Sequence, residues 1–200
     1  MVLAMSIESA KKVILGVSGT PGSYSEIAAS IFAKRRSISD AAITYDYLRD
    51  AKGVLRALNR GRIDFGIVPI WNSGKRHVPP EYYQALTTLS YRPDDIYSIP
   101  VRHALLRTHG AKGRVTAVVS QNTALEQCSD YLDAHYSDVR RITHLDTALA
   151  AKDLSEGKLP VTSAVIASLA AAARYNLAVI AENIPNDPYN ETVFIAARKS

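Results

Sequence analysis

Val13-Ile14-Leu15-Gly16-Val17 runs directly into Ser18-Gly19-Thr20-Pro21-Gly22-Ser23, and the stretch that follows, Glu26 to Lys34, carries Ile27, Ala28, Ile31 and Phe32 at helical spacing. A β-branched apolar run, a glycine-rich turn and an amphipathic helix, in that order, open an α/β unit. Ile43 to Tyr47 reads as a second strand and Asp50 to Arg60 as a helix with Val54, Leu55 and Leu58 inward. Asp64 to Ile70 reads as a third strand, ended by Pro69 and Asn72. The order βαβαβ calls for a parallel sheet with helices on its faces.

Asn72 to Tyr82 holds two prolines, a glycine and two basic residues, which marks it as the expected hinge or crossover loop. Beyond it, Ile96 to Leu106 and Val115 to Val119 read as strands, and Ser120-Gln121-Asn122-Thr123 leads into a helix ending near Ala134, with Ser120 or Asn122 as its cap. Ile142 to Leu145 is a short strand, Thr147 to Glu156 a helix, Ser163 to Val165 a brief strand and Ile166 to Tyr175 an alanine-rich helix. Val179 to Ile184 and Phe194 to Arg198 close the chain as strands. Two α/β units joined by a loop, with the last strands returning toward the first, fit two lobes around a cleft, although one continuous sheet has the same periodicity. The expected division is residues 1–75 with 182–200 in lobe one and 76–181 in lobe two.

At 200 residues, 47% hydrophobic and 22% charged, the composition is that of a globular protein. There is no apolar run long enough to span a bilayer, and Met1 to Lys12 lack the layout of a secretion signal, so a cytoplasmic protein without a membrane partner is expected. Cys128 is the single cysteine, which excludes an internal disulfide, and no Cys or His spacing suits a metal. The net charge of +5 is scattered, with only Lys34-Arg35-Arg36 and Arg140-Arg141 adjacent; it fits steering of a small anion and does not outline a nucleic-acid surface.

Junctions where strands end and helices begin present backbone N–H groups to anions. Three such junctions bear hydroxyls or a cap: Ser23-Tyr24-Ser25, Ser120 to Thr123, and Asp146-Thr147. Each alone is a plain helix cap; convergence on one cleft is what would make them a carboxylate site.

Two further segments narrow the reading. Asn190-Glu191-Thr192-Val193-Phe194 and Val68-Pro69-Ile70-Trp71-Asn72-Ser73 resemble the Asn-x-Thr-Arg-Phe and Val-Pro-Ile-Glu-Asn-Ser signatures of prephenate dehydratases. Val193 stands where that family has arginine and Trp71 where it has glutamate. Gly19 to Glu26 is similar to the family's Gly-Pro-x-Gly-Thr-Phe-Ser-Glu opening, with Tyr24 at the phenylalanine. Val101 to Leu105 resembles its histidine-containing strand, Ser120 to Cys128 its Ser-His-Pro-Gln-Ala-Leu-x-Gln-Cys block, and Thr147-Ala148 with Ala150-Ala151 a Thr-Ala-x-Ala-Ala run. Ala164 to Ser168 completes the order.

The resemblance implies an α/β, two-lobed type II periplasmic-binding-protein-like fold, each lobe a mixed, mostly parallel sheet flanked by helices, with prephenate held between the lobes. One catalytic unit without a phenylalanine-sensing ACT domain is expected, with no cofactor and no metal, and a homodimer as its assembly. In the family the Thr of Thr-Arg-Phe is thought to protonate the departing hydroxyl while the Arg orients the substrate. Thr192 keeps the first role open and Val193 cannot supply the second. Thr192, Tyr24 and His103 are thus the candidate catalytic residues, His103 through an imidazole that ordinarily titrates near neutrality. Thr20, Ser23, Trp71, Asn72, Ser73, Ser120, Thr123, Thr147 and Val193 are the candidate substrate-binding positions. Plainer roles are open to each: His103 as a structural histidine, Tyr24 as helix packing, Thr192 as a strand cap, Trp71 as filler. Lys75 and Arg76 are candidates to replace the lost cation.

With the guanidinium gone, the expected reaction is decarboxylation of prephenate without loss of its 4-hydroxyl, as in the prephenate decarboxylases of bacilysin-type antibiotic pathways. The alternatives are a prephenate dehydratase and a non-catalytic small-anion binding module.

Overall fold

The computed structural model describes residues 12–74 and 91–199. The first half runs β1 (Val13–Ser18), α1 (Tyr24–Arg35), β2 (Ile43–Leu48), α2 (Ala51–Asn59), β3 (Phe65–Asn72), β4 (Tyr91–Pro100) and β5 (Ala104–Thr108). The second runs β6 (Ala117–Ser120), α3 (Asn122–Gln127), α4 (Ser129–His135), β7 (Arg140–Thr143), α5 (Thr147–Ser155), β8 (Ser163–Ala167), α6 (Leu169–Arg174), β9 (Leu177–Ala181) and β10 (Glu191–Lys199).

Two five-stranded sheets result, ordered β2-β1-β3-β10-β4 and β7-β6-β8-β5-β9. In the first, β1 is parallel to both β2 and β3, and β10 is antiparallel to β3 and β4. In the second, β6 is parallel to β7 and β8, and β5 is antiparallel to β8 and β9. Each lobe is therefore a βαβαβ core completed by one antiparallel strand that arrives from the other lobe, the two-lobed mixed-sheet architecture expected above.

That exchange corrects two sequence expectations. Ile96 to Leu106 reads as one strand, but Pro100 ends β4, and Val101-Arg102-His103 carries the chain out of the first sheet before β5 begins in the second. Tyr91–Pro100 thus belongs to the first sheet, not to a second lobe spanning 76–181. β3 and β4, which flank the expected hinge, both lie in the first sheet, and residues 75–82 of that hinge fall outside the described residues. Among the described residues the chain crosses between the sheets at 101–103 and 182–190, which run side by side, with Val101 N–H donating to Asn190 O at 2.8 Å and Ile184 N–H to His103 O at 3.1 Å.

Burial follows the strand period of two. Leu15, Val17, Ile67 and Phe194 face α1 through Ala28 and Phe32, while Val68, Ile195 and Ala197 face α2 through Val54, Leu55 and Leu58. Ile27 and Ile31, expected on the inner face of α1, are only partly buried on its flank, because Ala29 and Ala33 take the centre. In the second lobe, Leu106, Val119 and Val165 pack on the alanines of α5 and α6, and Leu105, Val118 and Ile166 pack on α3 and α4. Ser23, Asp50, Asp146 and Ser168 cap α1, α2, α5 and α6 through their side chains. Gln121, not Ser120 or Asn122, precedes α3, and it makes no side-chain cap. Among the described residues no helix is long and apolar enough to cross a membrane.

Away from the crossings, the glycine-rich turn of lobe one is clasped to lobe two. Ser168 Oγ donates to Gly22 O at 2.7 Å, Tyr175 OH to Pro21 O at 2.7 Å and Thr20 Oγ1 to Asp146 Oδ1 at 2.9 Å, with Arg174 paired to Glu26 at 3.0 Å. Gly22 sits at φ +87, and a Cβ there would lie 3.0 Å from Ala171 Cα and 3.1 Å from its Cβ. Backbone conformation and backbone contact therefore both oppose a side chain. Gly22→Ala is expected to cost about 1–3 kcal/mol, read as a lower urea midpoint; an unchanged midpoint would show that the clasp yields freely.

Candidate functional site

A cavity of about 280 Å³ lies between the lobes, bordered by the end of β3 (Pro69, Ile70, Trp71, Asn72), Thr192 of β10, Tyr24 of α1, the crossing residues Val101 and His103, and Gln121, Thr123, Ala124, Gln127 and Thr147 of lobe two. It takes walls from both sheets and from one crossing. None of these side chains carries a formal charge except His103 in its protonated form, and burial pushes that imidazole down to about 4. His103 is therefore neutral near pH 7, which corrects its expected role as an acid near neutrality.

A chain of amides crosses this wall, and the backbone fixes its polarity. Gly74 N–H donates to Asn72 Oδ1 at 3.1 Å, and Asn72 Nδ2 donates to Glu191 O at 3.0 Å, so the Asn72 carboxamide has one orientation. Asn72 Nδ2 also reaches Thr192 Oγ1 at 3.0 Å and Asn190 Oδ1 at 2.9 Å. Thr192 accepts in this contact, which leaves its own proton available to donate. On the other side, Asn72 Oδ1 receives Gln127 Nε2 at 3.1 Å, so Gln127 presents Oε1 to His103 Nε2 at 3.2 Å. An amide oxygen only accepts; His103 therefore carries its proton on Nε2 and keeps a bare lone pair on Nδ1.

His103 Nδ1 and the Tyr24 hydroxyl are both inaccessible to solvent and make no hydrogen bond. Their rings meet edge to face, with centroids 5.6 Å apart. Burial raises the Tyr24 phenol well above its ordinary value, a trend that Cys128 reinforces and the Arg102 backbone N–H opposes. Burial likewise pushes the Cys128 thiol up to about 12, which makes it an inert core group.

The cavity thus gathers Tyr24, Trp71, Asn72, His103, Thr123, Thr147 and Thr192 from the residues expected in the sequence. The other expected residues stand off its wall for identifiable reasons. Ser120 is fully buried and donates to Ile166 O at 2.7 Å, holding β6 to β8. The Ser23 oxygen caps α1 by accepting Glu26 N–H at 3.3 Å, and Thr20 is engaged with Asp146. Ser73 Oγ accepts Glu191 N–H at 3.0 Å, locking β3 to β10. Val193 pairs with Trp71 across those strands and does not border the cavity. Lys75 and Arg76, the candidate replacement cations, fall outside the described residues. Gln127 and Gln121 were not singled out from the sequence, yet Gln127 stands in a block already matched there and joins Asn72 to His103.

Residues 15–200 match the prephenate dehydratase (PDT) family, and the chain belongs to it. The arogenate dehydratase/prephenate dehydratase 1, chloroplastic, of Arabidopsis thaliana is 32% identical over 187 residues, 92% of this chain and 44% of that protein. The bifunctional chorismate mutase/prephenate dehydratase of Stutzerimonas stutzeri is 32% identical over 183 residues, 88% of this chain and 46% of that one. The chain spans a little under half the length of these curated relatives. The solved prephenate dehydratase of Arthrobacter aurescens in complex with L-Phe superposes with a TM-score of 0.80 at 24% identity, covering 94% of this chain and 61% of that one, which shows the same fold.

Two predictions follow from the wall. Between the unperturbed value of 6.5 and the folded value of about 4, unfolded chain binds more protons at residue 103 than folded chain does. The stabilisation is complete above the upper value and is lost as pH falls, by on the order of 3 kcal/mol. Urea unfolding free energies of the protein and of His103→Gln should therefore converge as pH drops through this window; parallel curves would refute the burial argument. Nitrogen-15 spectra at neutral pH should show His103 protonated on Nε2, and Gln127→Leu should release that preference; a proton on Nδ1 would overturn the amide polarity.

Proposed function

We propose that the protein decarboxylates prephenate and retains the 4-hydroxyl, giving a dihydro-4-hydroxyphenylpyruvate. The observation that carries this reading is a cavity wall of amides, hydroxyls and apolar groups with no charged side chain among the described residues. A guanidinium hydrogen-bonded to a carboxylate contributes on the order of 1.5–3 kcal/mol, and that stabilisation falls on the ground state of the group that leaves. Breaking the bond from the ring to its carboxylate disperses the charge over a pentadienyl system made of the former quaternary carbon and the two alkenes that flank it. A wall whose described residues hold no cation therefore disfavours the localised carboxylate relative to the spread anion. The electron pair of the broken bond enters the ring, a proton adds at a carbon terminus, and carbon dioxide departs.

Expulsion of the 4-hydroxyl as water would require an acid at that oxygen. His103, neutral with its proton committed to Gln127, and Tyr24, raised by burial, are both poor acids. Thr192, which accepts from Asn72 and keeps its own proton, is the group we assign to pass a proton from water to ring carbon. A small cavity fits a single-ring diacid, and membership in the prephenate dehydratase family supplies the substrate class. The product would serve as a precursor of a non-proteinogenic amino acid, as in peptide antibiotic biosynthesis.

The second reading is a prephenate dehydratase, favoured by one feature: Thr192 borders the cavity with its proton available to donate. Incubation with prephenate followed by mass spectrometry and ultraviolet spectroscopy separates the two. Loss of carbon dioxide alone, with a diene spectrum, is expected. An aromatic product lacking water as well would establish dehydration, and unchanged prephenate would leave a binding module.

A further inference from the structure

We propose that His103 Nδ1 and the Tyr24 hydroxyl form a subsite for one alcohol group of the ligand, His103 accepting the alcohol proton and Tyr24 donating to its oxygen. The inference rests on the reading of the cavity as a site for a hydroxylated cyclohexadiene diacid. Both atoms are shielded from solvent and without a hydrogen-bond partner, and both residues border the same cavity. Their rings lie 5.6 Å apart at 82°, so the two side chains share one corner of the wall, and their polar atoms do not bond to each other.

The chemical class of the missing partner follows from polarity. The fixed amide chain leaves Nδ1 as a pure acceptor. The Arg102 backbone N–H favours charge on the phenol oxygen without completing a hydrogen bond to it, so the phenol proton is left to donate. A carboxylate would face the Nδ1 lone pair with its own lone pairs, and an ammonium would have nothing to accept from Tyr24. A hydroxyl does both at once. Such a hydroxyl has its proton drawn toward a base, and the phenol that donates to its oxygen holds its own proton because burial raises it, so the carbon–oxygen bond is not protonated for departure. The same corner that recognises the alcohol thus keeps it on the ring.

The test uses two diacids with a saturated ring, 1-carboxycyclohexyl pyruvate with and without a 4-hydroxyl, neither of which can lose carbon dioxide into a delocalised anion. Calorimetric titration of the full chain should show tighter binding of the hydroxylated compound. Tyr24→Phe keeps the ring in place and removes only the phenol oxygen. It should reduce that preference about fivefold, the worth of one hydrogen bond, and leave the affinity for the deoxy compound unchanged. No preference in the parent protein, equal weakening of both compounds by Tyr24→Phe, or failure to bind either compound would overturn the subsite. Turnover of prephenate is scored separately. Intact discrimination with an aromatic product would sink the decarboxylase reading alone, and loss of carbon dioxide only, without discrimination, would sink the subsite alone.

Discussion

The Asn72 carboxamide is the contact on which the cavity depends. It stands at the end of β3, and its nitrogen ties Asn190, Glu191 and Thr192 of the returning segment while its oxygen takes Gly74 and, from lobe two, Gln127. An amide with both ends committed to backbone has no freedom to flip, so every group downstream inherits a polarity set by the main chain. The direction of Thr192's hydroxyl and the tautomer of His103 are consequences of how β3 and β10 register. Aspartate at this position would lose the donors to Glu191 and Thr192 and place a charge in a half-buried wall, at a cost of several kcal/mol.

Electrostatically the cavity is unusual for a site proposed to take a dianion. Cations are plentiful on this chain, yet Arg35, Arg36 and Arg198 are spent on Asp94 and Asp95 at the far edge of the first sheet, and Arg174 is spent on Glu26 in the clasp. Exposed pairs of this kind add little to stability. Their effect is to hold these cations at the surface, apart from the cavity wall.

Much of this was legible in the chain. Periods of two and 3.6 placed β1, α1, β2, α2 and β3 within a few residues, because each is amphipathic and bounded by a cap or a glycine. What failed did so where local pattern was uninformative. The stretch from Ile96 to Leu106 keeps a strand-like alternation through Val101, since Val101 and His103 are both almost inaccessible while Arg102 between them is exposed. Only the pairing of β4 with β10 and of β5 with β8 assigns the two halves to different sheets. Motif order identified Tyr24, Asn72, His103, Thr123, Thr147 and Thr192 as neighbours. It could not separate hydroxyls that face the cavity from those that cap or lace the framework, such as Ser23, Ser73 and Ser120, because both uses favour the same residue at the same junction.

Buried polar atoms without partners are few in folded proteins, and each costs about 1–3 kcal/mol. Four side-chain atoms are in that state among the described residues: Tyr24 OH, His103 Nδ1, Arg107 Nε and Asn190 Nδ2. Arg107 and Asn190 satisfy their other polar atoms, Arg107 by donating to Lys112 and Gly113 carbonyls and Asn190 by accepting from Asn72 and Ser73. Tyr24 has no other polar side-chain atom, and it shares its corner of the cavity with His103. A phenylalanine at residue 24 would fill the same space without the penalty. Retaining the hydroxyl there lowers the stability of the empty protein, and set against that loss are an unpartnered donor and an unpartnered acceptor in one corner of the cavity where the two lobes meet.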